Sequence, residues 1–206
     1  NYLRPVEFMS TPSEVDLYDF AYKLPDLMGD RGIFVCDSGF VDVILPTNAP
    51  FKEGQRCIRP ISQGAMGFAL PAVIGLGVSS IHPIYCVVGD GSIMFNIQEL
   101  ETISRYNINV KICVINNNMY AVIKRRQKKL FRERVIGVDD TSGLSAPNFE
   151  KISEAFSIDY IRCTAANYST LLAKNSNHSG PQIFEIPGKV EQDYLEIHHA
   201  RTAQIR

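Results

Sequence analysis

The sequence predicts an α/β fold: one doubly wound, mostly parallel sheet of about six strands with helices on both faces. Apolar, β-rich runs alternate along the chain with stretches of helical periodicity. The clearest stretch, residues 84–115, reads strand, turn, helix, strand, which is a β-α-β unit. Two polar clusters, Gly89-Asp90-Gly91-Ser92 and Asn116-Asn117-Asn118, follow its two strands directly. Both therefore fall on the carboxyl edge of the sheet, where open α/β folds bind ligands.

Taken in order, residues 1–12 mix prolines with polar and apolar residues and are expected to be a linker. From Ser13, a candidate N-cap, Val15, Leu17, Tyr18, Ala21, Tyr22 and Leu24 fall near helical spacing, and Gly29 and Gly32 end the run. Residues 32–36 read as the first core strand, and 37–40 as the loop at its end. Pro46 and Pro50 mark 43–56 as loop, followed by a short strand at 56–59. Residues 62–77 are dominated by small side chains and read as a closely packing helix with a glycine-rich start. After the strand at 84–88, Ile97, Leu100 and Ile103 share one helical face. Asn96 and Glu99 are placed to form a capping box, which assigns Glu99 a structural role.

A strand at 110–115 leads through the asparagines to a helix or ordered turn opening at 119–124. The basic run 124–134 (KRRQKKLFRER) reads as a solvated helix face; no aromatic interleaving marks it for nucleic acid. A turn at 139–143 precedes a helix opened by Pro147, with Phe149, Ile152, Ala155 and Phe156 expected inside. A strand at 159–163, a helix at 168–174 and a last strand at 181–186 complete the domain. Residues 13–187 are expected to form it, with 188–206 a polar tail.

The chain's 206 residues, 45 % hydrophobic and 21 % charged, suit one sizeable domain. A net charge of −1 gives no field for nucleic acid or an anionic membrane. No apolar run approaches the roughly 20 residues of a membrane span, and no signal peptide is visible. The five cysteines form no C-x-x-C pair and do not cluster with His82, His178, His198 or His199. They are expected as reduced, mostly buried thiols of a cytoplasmic protein, with no zinc site. The chain begins at Asn1 without a methionine, as a piece of a longer protein or a processed chain would.

Chemistry concentrates at the two polar clusters. Asp90 offers a charged oxygen and Asn117 a neutral amide oxygen, hard donors that suit Mg²⁺ better than Zn²⁺. Gly91 lets backbone N–H groups approach a phosphate, and Ser92 adds a hydroxyl. The residues read as a Mg²⁺-diphosphate site; the plain alternative is a Gly-Asp-Gly turn beside an Asn-rich strand end.

GDGSIMFNIQELETISRYNINVKICVINNN resembles the signature of thiamine-diphosphate enzymes, most closely the acetolactate synthase branch, and the resemblance runs from about residue 33 to 186. It implies Mg²⁺ held by Asp90, Asn117 and the backbone carbonyl of Met119, with Gly89, Gly91 and Ser92 at the diphosphate. Tyr120 is placed to reach the phosphate end, or else is a core tyrosine. Ser38 and Gly39 match the family's first diphosphate-contacting turn, or else form a plain strand-end turn; Phe40-Val41 stand where acetolactate synthases carry Gln-His. QGAMGFALPAVIG resembles the family's cofactor-bending segment. There Met66 would be the wedge beneath the cofactor, and the carbonyl of Gly64 would accept from its 4′-amino group. Ile123 stands where the pyruvate decarboxylase branch carries a glutamate, which counts against that branch. Gln127, Phe131 or an arginine of the basic run would contact an anionic substrate.

The resemblance further implies thiamine diphosphate and Mg²⁺ as cofactors, with FAD possible in the family but not indicated here. It implies a 2-oxo acid substrate, decarboxylation with carboligation, and a homo-oligomer, dimer or tetramer. The activating glutamate of such enzymes lies on a pyrimidine-binding domain that no segment here resembles. No catalytic residue is therefore assigned in this chain, and that domain is expected in cis or as a second subunit. Two other readings stand beside this one. One is a subunit of a split decarboxylase of the sulfopyruvate or phosphonopyruvate type; the other is a non-catalytic assembly module.

Overall fold

The computed structural model describes residues 10–194. Residues 1–9 of the expected linker and residues 195–206 of the tail, with His198 and His199, lie outside the described residues. Six strands form one sheet: β1 (Ile33–Cys36), β2 (Arg56–Ile58), β3 (Ile84–Gly89), β4 (Val110–Asn116), β5 (Asp159–Arg162) and β6 (Gln182–Pro187). Their order is β2-β1-β3-β4-β6-β5, and every pairing is parallel. The expected fold class is present, and the sheet is wholly parallel.

Both faces of the central strands are buried, which is why β1, β3 and β4 read as mostly apolar runs, broken in β4 by the buried Lys111. On one face, Phe34, Cys36, Tyr85, Val87, Cys113 and Ile115 pack under α1 (Leu17–Met28), α2 (Phe40–Asn48) and α7 (Tyr168–Lys174). Alternate residues of the same strands, Ile33, Val35, Cys86, Val88, Ile112 and Val114, pack under α3 (Ala69–Ser79), α4 (Glu99–Arg105) and α6 (Phe149–Ala155). From β1 the chain moves outward to β2, then returns to the other side of β1 for β3. That reversal opens a crevice at the carboxyl ends of β1 and β3.

Several local expectations change. Asp16, not Ser13, caps α1: its carboxylate accepts from Tyr18 N at 2.9 Å. The first part of the expected loop 43–56, residues 43–48, is helix α2, despite Pro46, because Phe40, Val41, Ile44 and Leu45 bury one helical face. The helix expected from 62 starts only at Ala69; Gly64 and Gly67, at φ +59° and +79°, shape the approach to it as turns. A 3₁₀ turn, Ile93–Asn96, intervenes before α4, and no capping box forms. Asn96 instead donates through Nδ2 to the carbonyl of Gly67 at 2.6 Å, tying the two turns together. In α6 the buried pair is Phe149 and Ser153; Ile152 and Phe156 are half-buried and Ala155 is exposed. Helix α5 (Ala121–Leu130) carries residues 124–130 of the basic run and buries no residue fully, and residues 131–134 lie beyond its end. Four cysteines are buried, but Cys57 is exposed.

Candidate functional site

A cavity of about 260 Å³ sits at the carboxyl ends of β1, β3 and β4. Ser38 and Gly39 after β1, Gly64 and Met66 before α3, and Gly89, Asp90, Gly91 and Ser92 at the end of β3 all line it. So do Asn117, Met119 and Tyr120 after β4. Eleven residues separated by up to 82 positions in the chain (120 − 38) thus share one wall system, because parallel strands bring every βα loop to the same edge. Phe40, Val41 and Ile123 line it as well and make part of the wall apolar. Gln127 and Phe131 do not. They line a separate surface cavity of about 450 Å³ with Arg132 and Arg134, where Gln127 is engaged with both backbone groups of Ile136.

Asp90 is only 3 % exposed. Burial pushes its carboxyl up to about 6, against the opposing pull of backbone N–H groups of Gly91, Asn118 and Met119. These last two follow the tip of the neighbouring strand, so the carboxylate lies near the Asn117–Met119 turn. Asn118, at φ +54°, turns the chain there, and its N–H is accepted by Asn116 Oδ1 at 3.2 Å. Among the described residues, no cationic side chain forms an ion pair with Asp90. A buried carboxylate beside an amide and a backbone carbonyl makes an all-oxygen donor set, which fits Mg²⁺ and is a poor match for Zn²⁺. Among the described residues, no group of three or more His, Cys, Asp or Glu side chains is placed to hold a metal, so a cation here depends on the amide and the carbonyl.

Sequence reasoning passed over Asp37, which is 1 % exposed. Its carboxylate accepts from Gly67 N at 3.1 Å, Ala69 N at 2.7 Å and Ser92 Oγ at 2.8 Å. One side chain thus ties the end of β1 to the turn bearing Met66 and to the turn bearing Asp90. Burial raises its pKa, and these donors oppose the rise. The Ser92 hydroxyl is consequently committed to Asp37 as donor, leaving its oxygen free only to accept. A signal for Asp37 existed in Cys-Asp-Ser-Gly, a second acidic strand-end turn of the same kind as Gly89-Asp90-Gly91-Ser92.

Also unforeseen are Leu17, Lys189 and Gln192, which complete the wall. Residues 188–194 fold back onto the start of α1: Lys189 Nζ meets the fully buried Asp16 at 3.0 Å, and Gln192 Oε1 accepts from Leu17 N at 2.9 Å. Tyr194 stacks edge-on against Phe40.

Gly91 is dictated by packing. A Cβ there would lie 2.2 Å from Cε1 of the Tyr120 ring. The variant Gly91→Ala is expected to lose about 1–3 kcal/mol in chemical denaturation, the usual scale of overpacking, and Tyr120→Ala in the same chain to restore most of it. Additive losses in the double variant would mean that the two residues do not oppose each other.

Residues 37–186 match the family model described as "Thiamine pyrophosphate enzyme, C-terminal TPP binding domain". The acetolactate synthase large subunit of Porphyra purpurea is 43 % identical over 109 residues, 52 % of this chain and 18 % of that protein. The Haemophilus influenzae large subunit is 37 % identical over 123 residues, 58 % of this chain and 21 % of that one. The matched stretch thus spans about a fifth of such relatives. A thiamine diphosphate-dependent 4-hydroxybenzoylformate decarboxylase from Rhodococcus jostii superposes with a TM-score of 0.80 at 20 % identity, covering 94 % of this chain and 36 % of that one, a likeness of fold.

Proposed function

The chain belongs to the thiamine pyrophosphate enzymes, as an acetolactate synthase-like C-terminal TPP-binding domain, and on that premise we propose that it holds Mg²⁺ and the diphosphate of thiamine diphosphate in an enzyme acting on a 2-oxo acid by decarboxylation and carboligation. The observation that carries this reading is the buried Asp90 carboxylate. It lies at one strand tip, without a cationic partner among the described residues, and shares its cavity with Asn117 and Met119 of the next. Asp90, the Asn117 amide and the Met119 carbonyl would hold the cation. Gly91, Ser92, Ser38, Gly39 and Tyr120 would surround the diphosphate, with Gly89 ending the strand that presents them. Met66 and the Gly64 carbonyl would support and orient the cofactor's two rings.

Thiamine diphosphate, when bound, supplies the carbon nucleophile and the electron sink that decarboxylation of a 2-oxo acid requires. This chain's residues bind and orient. Of the side chains lining the cavity, Asp90, Tyr120 and Lys189 are the ionisable ones; Asp90 would be engaged by the cation and Lys189 is paired with Asp16. Ile123 and Val122 cannot transfer protons. By likeness to the family, the activating acid would lie on a pyrimidine-binding domain, in cis or on a second subunit, with the cofactor between domains of different chains in a dimer or tetramer. Residues 13–187 would form the binding domain and 1–12 a linker; of the expected tail 188–206, residues 188–194 pack against that domain. The buried free thiols suit a cytoplasmic setting, and among the described residues no helix is long and apolar enough to cross a membrane. FAD has no assigned role.

Calorimetric titration of the full-length protein with thiamine diphosphate and Mg²⁺ tests the reading, with product analysis on pyruvate alongside. Binding should require both ligands. It should weaken as pH falls through about 6, where the raised carboxyl of Asp90 takes up the proton that competes with the cation. Acetolactate as product supports carboligation, and an aldehyde alone would favour a simple decarboxylase. Binding that is equally tight in chelator overturns the cation site.

A further inference from the structure

Asn116 precedes the proposed cation ligand Asn117 and does not line the cavity, yet both ends of its amide are used. Its Nδ2 donates to Glu185 Oε1 at 2.7 Å, and its Oδ1 accepts the N–H of Asn118 at 3.2 Å. Its own carbonyl accepts from Gly188 N at 2.8 Å. An aspartate could not donate to Glu185 and would set two like charges together; alanine would make neither side-chain bond.

The network continues outward to the edge strand. Tyr160, on β5, donates its hydroxyl to the second carboxylate oxygen, Glu185 Oε2. Arg162 Nε donates to the same Tyr160 oxygen at 3.2 Å, and Arg162 Nη2 lies 3.9 Å from Glu185 Oε2. Glu185 is largely buried, its side chain 18 % exposed, whereas that of Arg162 is 67 % exposed, so the ion pair itself contributes little. What the cluster fixes is direction: with both oxygens occupied, Glu185 points one of them at Asn116.

The geometry points to Glu185, braced by Tyr160, as a positioning residue that acts through Asn116 to set the conformation of the Asn117–Met119 turn and hence the affinity of the cation site. This inference rests on the Mg²⁺ reading above. Groups that orient metal ligands from outside the coordination sphere govern affinity because the ligands cost less to order when already held in place.

The test is Mg²⁺ titration of the full-length protein at saturating thiamine diphosphate, with the melting temperature recorded without ligands. Glu185→Ala is expected to weaken Mg²⁺ binding about tenfold. Tyr160→Phe, which removes one hydroxyl, should act in the same direction more weakly. Glu185→Gln, whose amide oxygen still accepts from Asn116, should restore most of the affinity. In an Asn116→Ala background, Glu185→Ala should have no further effect on Mg²⁺. Variants that melt earlier but bind Mg²⁺ as the wild type does would overturn the inference and leave the Mg²⁺ reading standing. A wild-type protein without Mg²⁺-dependent binding would overturn both.

Discussion

Asp90→Asn is expected to abolish Mg²⁺-dependent binding of thiamine diphosphate while leaving the ligand-free protein at least as stable at neutral pH. The two effects have one origin. A carboxylate near a cation in a partly buried site gains on the order of 4 kcal/mol per unit charge, so its loss should weaken the metal-bound complex on the order of 1000-fold. In the ligand-free protein the same carboxylate is desolvated, and its pKa is raised from its ordinary 3.8 to about 6. The folded state therefore binds this proton more tightly than the unfolded chain. The stability it contributes is full below about pH 4 and lost as pH rises through 6, on the order of 2–3 kcal/mol by pH 7. Asparagine keeps an oxygen near the backbone N–H groups of Gly91, Asn118 and Met119 without the buried charge. Thermal melts of both proteins, with and without Mg²⁺ and thiamine diphosphate, give the answer. A ligand-free variant that melts well below wild type, or a variant still stabilised by the ligands, would contradict the assignment.

That trade-off also explains what could be read from sequence alone. Asp90 and Asn117 were legible because each follows its own apolar strand within a few residues, and parallel strands place such ends side by side. Helix α2 was missed because Pro46 and Pro50 are strong local breakers; the burial of Phe40, Val41, Ile44 and Leu45 that outweighs Pro46 is tertiary. Asn96 looked like a cap by spacing, yet its amide goes to Gly67, 29 residues away in sequence. Lys189 and Gln192 reach α1 across 173 and 175 positions. Nothing local in a polar, proline-flanked segment predicts such a return. Short-range pattern therefore located the oxygen donors, whereas the wall around them depends on long-range packing.

Asp37 is where that packing is most exposed to a single change. Its carboxylate holds Gly67 N–H, Ala69 N–H and the Ser92 hydroxyl inside the protein, at positions where water has no access to replace it. Removing an acceptor while leaving buried donors unpaired costs about 1–3 kcal/mol for each donor. With relaxation sharing the loss, Asp37→Ala is expected to destabilise the protein by about 3–5 kcal/mol, among the largest effects of any single substitution. Asp37→Asn should fall between alanine and wild type. Its one oxygen can serve Ala69 N–H, but its NH₂ would face the N–H of Gly67. Ser92→Ala removes one donor together with its partner's need for it and should cost under about 1 kcal/mol. Denaturant titration of the three variants orders them. If Asp37→Ala costs no more than Ser92→Ala, the turns bearing Met66 and Asp90 do not depend on this carboxylate. If the expected order holds, thiamine diphosphate affinity should fall with stability across the series, because Asp37 sets the separation between those two turns and contributes no ligand of its own.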